Sequence, residues 1–300
     1  MKIIKNLLHL TKIFPTEESC HLFLIQRRWG KQPICPRCES DRKVYIMRGG
    51  KLLKCAECKK QFTVRVGTIF EDSALPLQKW LFAIFMFASH KKGVSSVQLA
   101  KDIGVTQKTA WFMLHRIRYA FGNRQYKMLD GVVEADETYI GGKKRGVGKT
   151  GRGTVGKFPV FGMLDRDDGI VVTMPVERVN ARTLRGLLKS NVSKDSRLIT
   201  DEFMSYNGSG AYFKQHDRIN HKQQQYVNGD IHTNTLDGFW SLLKRGIIGI
   251  YHQVSVDHLH RYCEEFEYRY NSRRVSDTVR FSDVIKNLHG RLMYKTLIGQ

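Results

Sequence analysis

Acidic residues are scarce in this chain of 300 residues: 28 Asp and Glu stand against 50 Lys and Arg, a formal charge of +22. So one-sided a balance points to a polyanionic partner, nucleic acid first and an anionic membrane surface second. The membrane alternative has no carrier, because no long basic amphipathic helix is found. Long apolar runs are missing too. The most apolar stretch, Trp80–Ser89, is too short to span a bilayer and reads as a buried helix. The N-terminus shows no secretory signal: Lys5, Asn6, His9 and Lys12 interrupt its apolar run, and no small-residue cleavage site follows. Cysteine is limited to six residues, four of them in two Cys-x-x-Cys pairs, a usage that favours metal over disulfides. The expectation is a soluble cytoplasmic protein of two or three domains.

Residues 1–30 read as two amphipathic helices, the second starting at Pro15-Thr16-Glu17-Glu18. Residues 31–66 carry the strongest local motif. Cys35-Pro36-Arg37-Cys38 and Cys55-Ala56-Glu57-Cys58 lie sixteen residues apart, with short strands at 43–47 and 51–54 joined at Gly49-Gly50. Two knuckles brought together by a hairpin make a tetrahedral four-thiolate Zn²⁺ site with no open position, a structural zinc ribbon. So small a unit needs the metal to stay folded. Cys20 and Cys263 stand alone and read as core thiols.

Residues 67–130 look helical. Two helices meet at Gly104, the second capped by Thr106, in a pattern that resembles a helix-turn-helix. Gln107, Lys108, Thr109, His115, Arg116 and Arg118 are expected on or near its exposed face, where the second helix would enter a major groove. An ordinary helical hairpin with a solvated basic face is the alternative. Residues 141–157 hold seven glycines and six Lys or Arg, among them Lys143, Lys144, Arg145, Lys149 and Arg152. Gly148-Lys149-Thr150 suggests a nucleotide loop, but Lys143 stands where that pattern needs glycine, and no apolar helix follows. The stretch reads instead as a cationic arm for a phosphate backbone, or as a spacer.

Residues 131–290 have another texture, strands first and helices later. Val132–Ile140, Phe158–Leu164 and Ile170–Val176 read as strands, Asn180–Val192 as a helix capped by Asn180, and Ser196–Thr200 as a fourth strand. The acids of the turn Asp165–Gly169 are expected in solvent. Two more helices follow, one beginning near Asn234 or Asp237 and one at Val256–Asn271 with a Glu265–Arg269 pair. The chain from Arg273 is basic and reads as peripheral, with one more short helix at Phe281, Val284, Ile285 and Leu288, and 291–300 as the tail. Asp136 ends the first strand and shares its face with Glu134. A carboxylate there needs a metal ion, an Arg or Lys, or solvent. Acids at the end of strand one (Asp136), after strand four (Asp201) and on a later helix (Asp237) are the arrangement of a ribonuclease H-like fold, whose first and fourth strands are adjacent and parallel.

The CPRC and CAEC knuckles, VEADETYIGG, ITDEF, HTNTLDGFWSLLKRGIIGIYH and RYCEEFEYRYNSRR occur in the order seen in one family. On these segments, which span nearly the whole chain, the sequence resembles DDE-type transposases of the IS1595 (ISXO2-like) family. The resemblance implies an α/β multidomain chain: zinc ribbon, helix-turn-helix-like region and ribonuclease H-like catalytic domain with a mixed sheet. It implies cut-and-join chemistry on the ends of an insertion sequence, with two Mg²⁺ or Mn²⁺ ions. Double-stranded DNA would be the partner, a homodimer or larger the working form on it, and the bacterial nucleoid the location. Asp136 and Asp201 take the places of the first two acids. The family shows Asn-x-x-Glu at the third; here Asn234 is followed by Asp237, one methylene shorter. Asp237 is the first choice of ligand and Asn234 the second, with Lys244 and its neighbour Arg245 facing the DNA end. A DNA-binding regulator derived from a transposase is the alternative function.

Overall fold

A proline disfavours helix in the residue before it, and Pro15 separates the first two helices of the chain. In the computed structural model, which describes residues 3–122, 126–141, 156–219 and 229–299, α1 is Leu7–Ile13 and α2 is Glu17–Trp29. Thr16 and Ser19 exchange side-chain-to-backbone bonds in a capping box at the start of α2. Next come β1 (Val44–Met47), β2 (Leu52–Cys55) and β3 (Gln61–Phe62), an antiparallel sheet in that order. A 3₁₀ turn, Arg48–Gly50, joins β1 to β2, as the glycine pair predicts. Then α3 (Leu77–Ser89), α4 (Ser96–Ile103) and α5 (Gln107–Tyr119) follow. Ser95 and Thr106 cap α4 and α5.

One expectation about α5 is overturned. His115, Arg116 and Arg118 are buried, whereas Gln107 and Lys108 in the first turn are exposed. The Arg116 guanidinium donates to the carbonyls of Ile69 (2.9 Å), Glu71 (2.8 Å) and Leu292 (3.1 Å). Bound to backbone oxygens inside the unit, it is a structural tie and offers nothing to a partner.

The second unit, 124–273, contains β4 (Val132–Ile140), β5 (Phe158–Asp165), β6 (Ile170–Pro175), α6 (Ala181–Asn191), β7 (Arg197–Asp201), β8 (Gln215–Ile219), α7 (Asn234–Gly246) and α8 (Val256–Asn271). Its sheet runs β6-β5-β4-β7-β8. β4, β5 and β6 pair antiparallel, while β7 runs parallel to both β4 and β8. Alternation sorts the side chains onto two cores. Val133, Ala135, Phe161 and Met163 pack with Leu184 and Leu188 of α6 on one face. Val160, Leu164 and Val171 pack with Leu236, Phe239, Trp240 and Leu243 of α7 and Phe266 of α8 on the other. Helix α8 also covers the edge strand β6. Glu267 accepts from the Thr173 amide and hydroxyl, both at 2.6 Å, and Asn271 bonds both the amide and the carbonyl of Val171.

After Arg273 the chain joins the first unit, with α9 (Asp277–Lys286) and α10 (Tyr294–Leu297). The expected boundary at 290 is therefore too late, because α9 packs on α3. Asp165 is a second correction to the sequence reading. It is buried and accepts from the amides of Asp130, Asp167 and Asp168, so it shapes the β5–β6 turn from inside. Among the described residues no helix is long and apolar enough to cross a membrane.

The crossing of α7 on α8 depends on Gly246. A Cβ there would stand 1.9 Å from Phe266 Cζ, whereas one at Gly238 in the same helix would meet nothing within 4 Å. Alanine gains about 1 kcal/mol of helix propensity over glycine, but overpacking costs about 1–3 kcal/mol. Gly246→Ala is expected to lower the urea midpoint followed by circular dichroism, and Gly238→Ala to raise it.

Candidate metal centres and acid cluster

The four knuckle cysteines converge, their sulfurs all within 4.8 Å of one another. Cys35 Sγ lies 3.8 Å from Cys58 Sγ, and Cys38 Sγ lies 3.7 Å from Cys55 Sγ. A tetrahedron with metal–sulfur bonds of about 2.3 Å has edges of about 3.8 Å, so both the spacing and the donor set fit Zn²⁺. Burial pushes the Cys35 thiol up, but the backbone amides of Arg37 and Cys38 and the neighbouring thiols outweigh it and bring it down to about 7.

The acids of the second unit gather where β4 and β7 run side by side. Their parallel register pairs Glu134 with Ile199. Continued two residues beyond the last pair, the same register would set Asp136 level with Asp201, the last residue of β7. Asp136 is half-buried and faces α7. Trp240 Nε1 donates to its Oδ2 at 2.9 Å. The indole fits because the residue opposite Asp136 is Gly162, where a Cβ would stand 2.5 Å from Trp240 Cη2. Burial lifts the Asp136 carboxyl to about 7; the charge of Glu137 adds to this, the Trp240 bond opposes it, and Asp237 and Asp201 add further. The three acids singled out in the sequence thus share one electrostatic neighbourhood. They are more widely spaced than the thiolates, since among the described residues only the cysteines close to within 4.8 Å. Asn234, Asp237, Ser241, Lys244 and Arg245 are exposed on α7.

The neighbouring carboxylates hold partners that the sequence alone did not assign. Glu137 points to the opposite face and accepts from Tyr206 Oη at 2.7 Å. Burial raises its carboxyl, the Tyr206 bond opposes this, and the charge of Asp201 adds to it. Glu134 is fully buried and accepts from Arg166 Nε at 2.6 Å and from the Leu236 amide at 2.8 Å. Their signal in the sequence is slight: Glu134 lies two residues before Asp136 on the same strand face, and Trp240 three residues after Asp237 on one helix.

At the candidate DNA-contact positions of the first unit, Gln107 donates to Ser96 Oγ at 2.8 Å, and Lys108 Nζ stands 5.0 Å from the Tyr294 ring centre. Lys143, Lys144, Arg145, Lys149 and Arg152 lie outside the described residues.

Two family models match in chain order: a transposase zinc-ribbon domain over residues 15–61 and an ISXO2-like transposase domain over 128–271. Both matched segments are those of ISXO2-like transposases of the IS1595 type. The chain is 29% identical over 279 residues to a protein in the transposable element ISH50 of Halobacterium salinarum, covering 86% of this chain and 92% of that one. A transposase-like protein of Haemophilus influenzae is 28% identical over 114 residues, 36% of this chain and 87% of that one. Among solved structures, a chain of a simian T-cell lymphotropic virus intasome complex aligns with a TM-score of 0.31 and 13% identity, over 56% of this chain and 63%, less than two thirds, of that one. A likeness that loose carries no functional weight.

The four-thiolate centre yields a direct test. Metal analysis of the purified chain is expected to give one zinc per molecule, and Cys55→Ser to lose it together with the β1–β3 signals in an amide spectrum. Wild-type zinc content in that variant would contradict the assignment.

Proposed function

We propose that the chain is an active transposase whose second unit is a ribonuclease H-like DDE domain acting on insertion-sequence ends. The observation that supports this reading is that the charges of Asp201 and Asp237 both act on Asp136, beside the parallel β4–β7 pair. A half-buried carboxylate whose proton affinity is raised by neighbouring acids suits hard divalent cations. Asp136 and Asp201 are the first two ligands; Asp237 is the third, with Asn234 one turn earlier as the alternative donor. Two Mg²⁺ or Mn²⁺ ions held there would activate the attacking oxygen and stabilise the leaving one in phosphodiester hydrolysis and in joining of the 3′ hydroxyl to target DNA.

The chain's own residues do the rest. Trp240 fixes one oxygen of Asp136 and leaves the other for a ligand role. Lys244 and Arg245, on the exposed part of α7, suit the phosphates of the bound end. In the first unit the zinc ribbon and the α4–α5 pair, read as a helix-turn-helix, bind the terminal inverted repeats in double-stranded DNA, with Gln107 and Lys108 at the groove. Lys143, Lys144, Arg145, Lys149 and Arg152, whose charges suit a phosphate backbone, add further DNA contacts. Pairing two ends before joining calls for a homodimer or larger on DNA.

Cleavage of duplexes carrying the inverted repeats that flank this gene tests the reading. Asp136→Ala should retain end binding and lose cleavage by roughly a thousandfold, since metal assistance is worth several kcal/mol. Wild-type cutting by that variant would overturn the assignment. End binding by the wild type with no cutting in either Mg²⁺ or Mn²⁺ would favour the regulator reading.

A further inference from the structure

Helix α7 carries the third acid, yet it begins without a cap of its own. Thr233 precedes its first residue, Asn234, with φ −112° and ψ 15°, outside the extended conformation of a capping residue, and its side chain makes no capping bond. The amide that such a side chain would satisfy belongs to Leu236, and it donates instead to Glu134 Oε2 at 2.8 Å. Glu134 is 0% exposed and lies two residues before Asp136 on the same face of β4. Its other oxygen accepts from Arg166 Nε at 2.6 Å. Arg166 stands in the β5–β6 turn and also grips the chain leading into α7. Its guanidinium donates to the Asp230 carbonyl at 2.6 Å and to the His232 carbonyl, and lies 2.9 Å from His232 Nδ1.

We infer that Glu134 and Arg166 are positioning residues that set Asn234 and Asp237 against Asp136. This rests on the metal-site reading above. A strand-borne carboxylate caps α7 from outside, so the first turn of the helix is referenced to the strand that bears the first acid. The cap lies on the Leu236 amide, next in sequence to Asp237 and two residues beyond Asn234. Trp240 pins the next turn to Asp136 at 2.9 Å. Two bonds one helical turn apart fix both the rotation and the height of α7 on β4. A carboxylate is suited to the first because it attracts the positive end of the helix and Arg166 together. Aspartate at the third position is shorter than glutamate, so the helix bearing it has little freedom to drift.

The test uses the full-length chain with zinc. Glu134→Gln preserves shape and one acceptor but turns an amide toward Arg166. Arg166→Lys keeps a cation beside Glu134 and removes the grip on the Asp230 and His232 carbonyls, so the buried charge stays paired if Glu134→Gln fails to fold. The expectation for each folded variant is unchanged affinity for the DNA end, a maximal cleavage rate lower by roughly tenfold to a hundredfold, and Mn²⁺ binding weakened severalfold in calorimetry without DNA. Loss of stability alone would move neither the calorimetric affinity nor the rate at saturating DNA in the folded fraction. Wild-type rate and Mn²⁺ affinity in Arg166→Lys, or in folded Glu134→Gln, overturns the inference. If Asp136→Ala remains dead in the same assay, only the positioning role falls; if Asp136→Ala also cuts, the metal-site reading falls with it.

Discussion

The parallel pairing of β4 with β7 is the constraint on which the second unit depends. It joins two strands separated by an antiparallel hairpin and a helix, and its register, continued two residues beyond the last pair, would set Asp136 level with Asp201. A slip by one residue would turn Asp136 to the α6 face and Glu137 to the α7 face. The alternation of two apolar cores prevents that slip, because Val133 and Ala135 would leave one core and Glu134 would enter it. The packing that holds the sheet together thus also sets the acids in place.

Gathering carboxylates in a half-buried place opposes folding, and the unit offsets this with donors on both faces. The indole of Trp240 meets Asp136 from the α7 side, and the phenol of Tyr206 meets Glu137 from the α6 side. Glu134, the most buried of the group, takes a guanidinium and a helix amide. Asp136 and Glu137 keep raised proton affinities, first through burial and then through the neighbouring acids.

Much of this was readable in the residues. The two cysteine pairs with a glycine-turned hairpin between them announced the ribbon, because that motif is local. The strand, strand, strand, helix, strand order and the positions of Asp136 and Asp201 followed from periodicity and turn residues. Strand β8 escaped, since its residues, QHDRI, carry one aliphatic side chain and show no alternation. The basic face assigned to α5 failed for Arg116 because side-chain type alone does not tell a solvated arginine from one bound to buried carbonyls. The partners of Glu134 lie 32 and 102 residues away in sequence, a separation that no local pattern encodes.

The central claim is that Asp136, Asp201 and Asp237 hold divalent cations at the edge of the β4–β7 pair. Anomalous diffraction from crystals of the full chain bound to its DNA end and soaked in Mn²⁺ addresses it most directly. Two manganese peaks about 3.5–4 Å apart are expected, with Asp136 and Asp201 among their ligands and Asp237 or Asn234 closing the site from α7. Manganese absent from this edge, or bound there without Asp136, would contradict it.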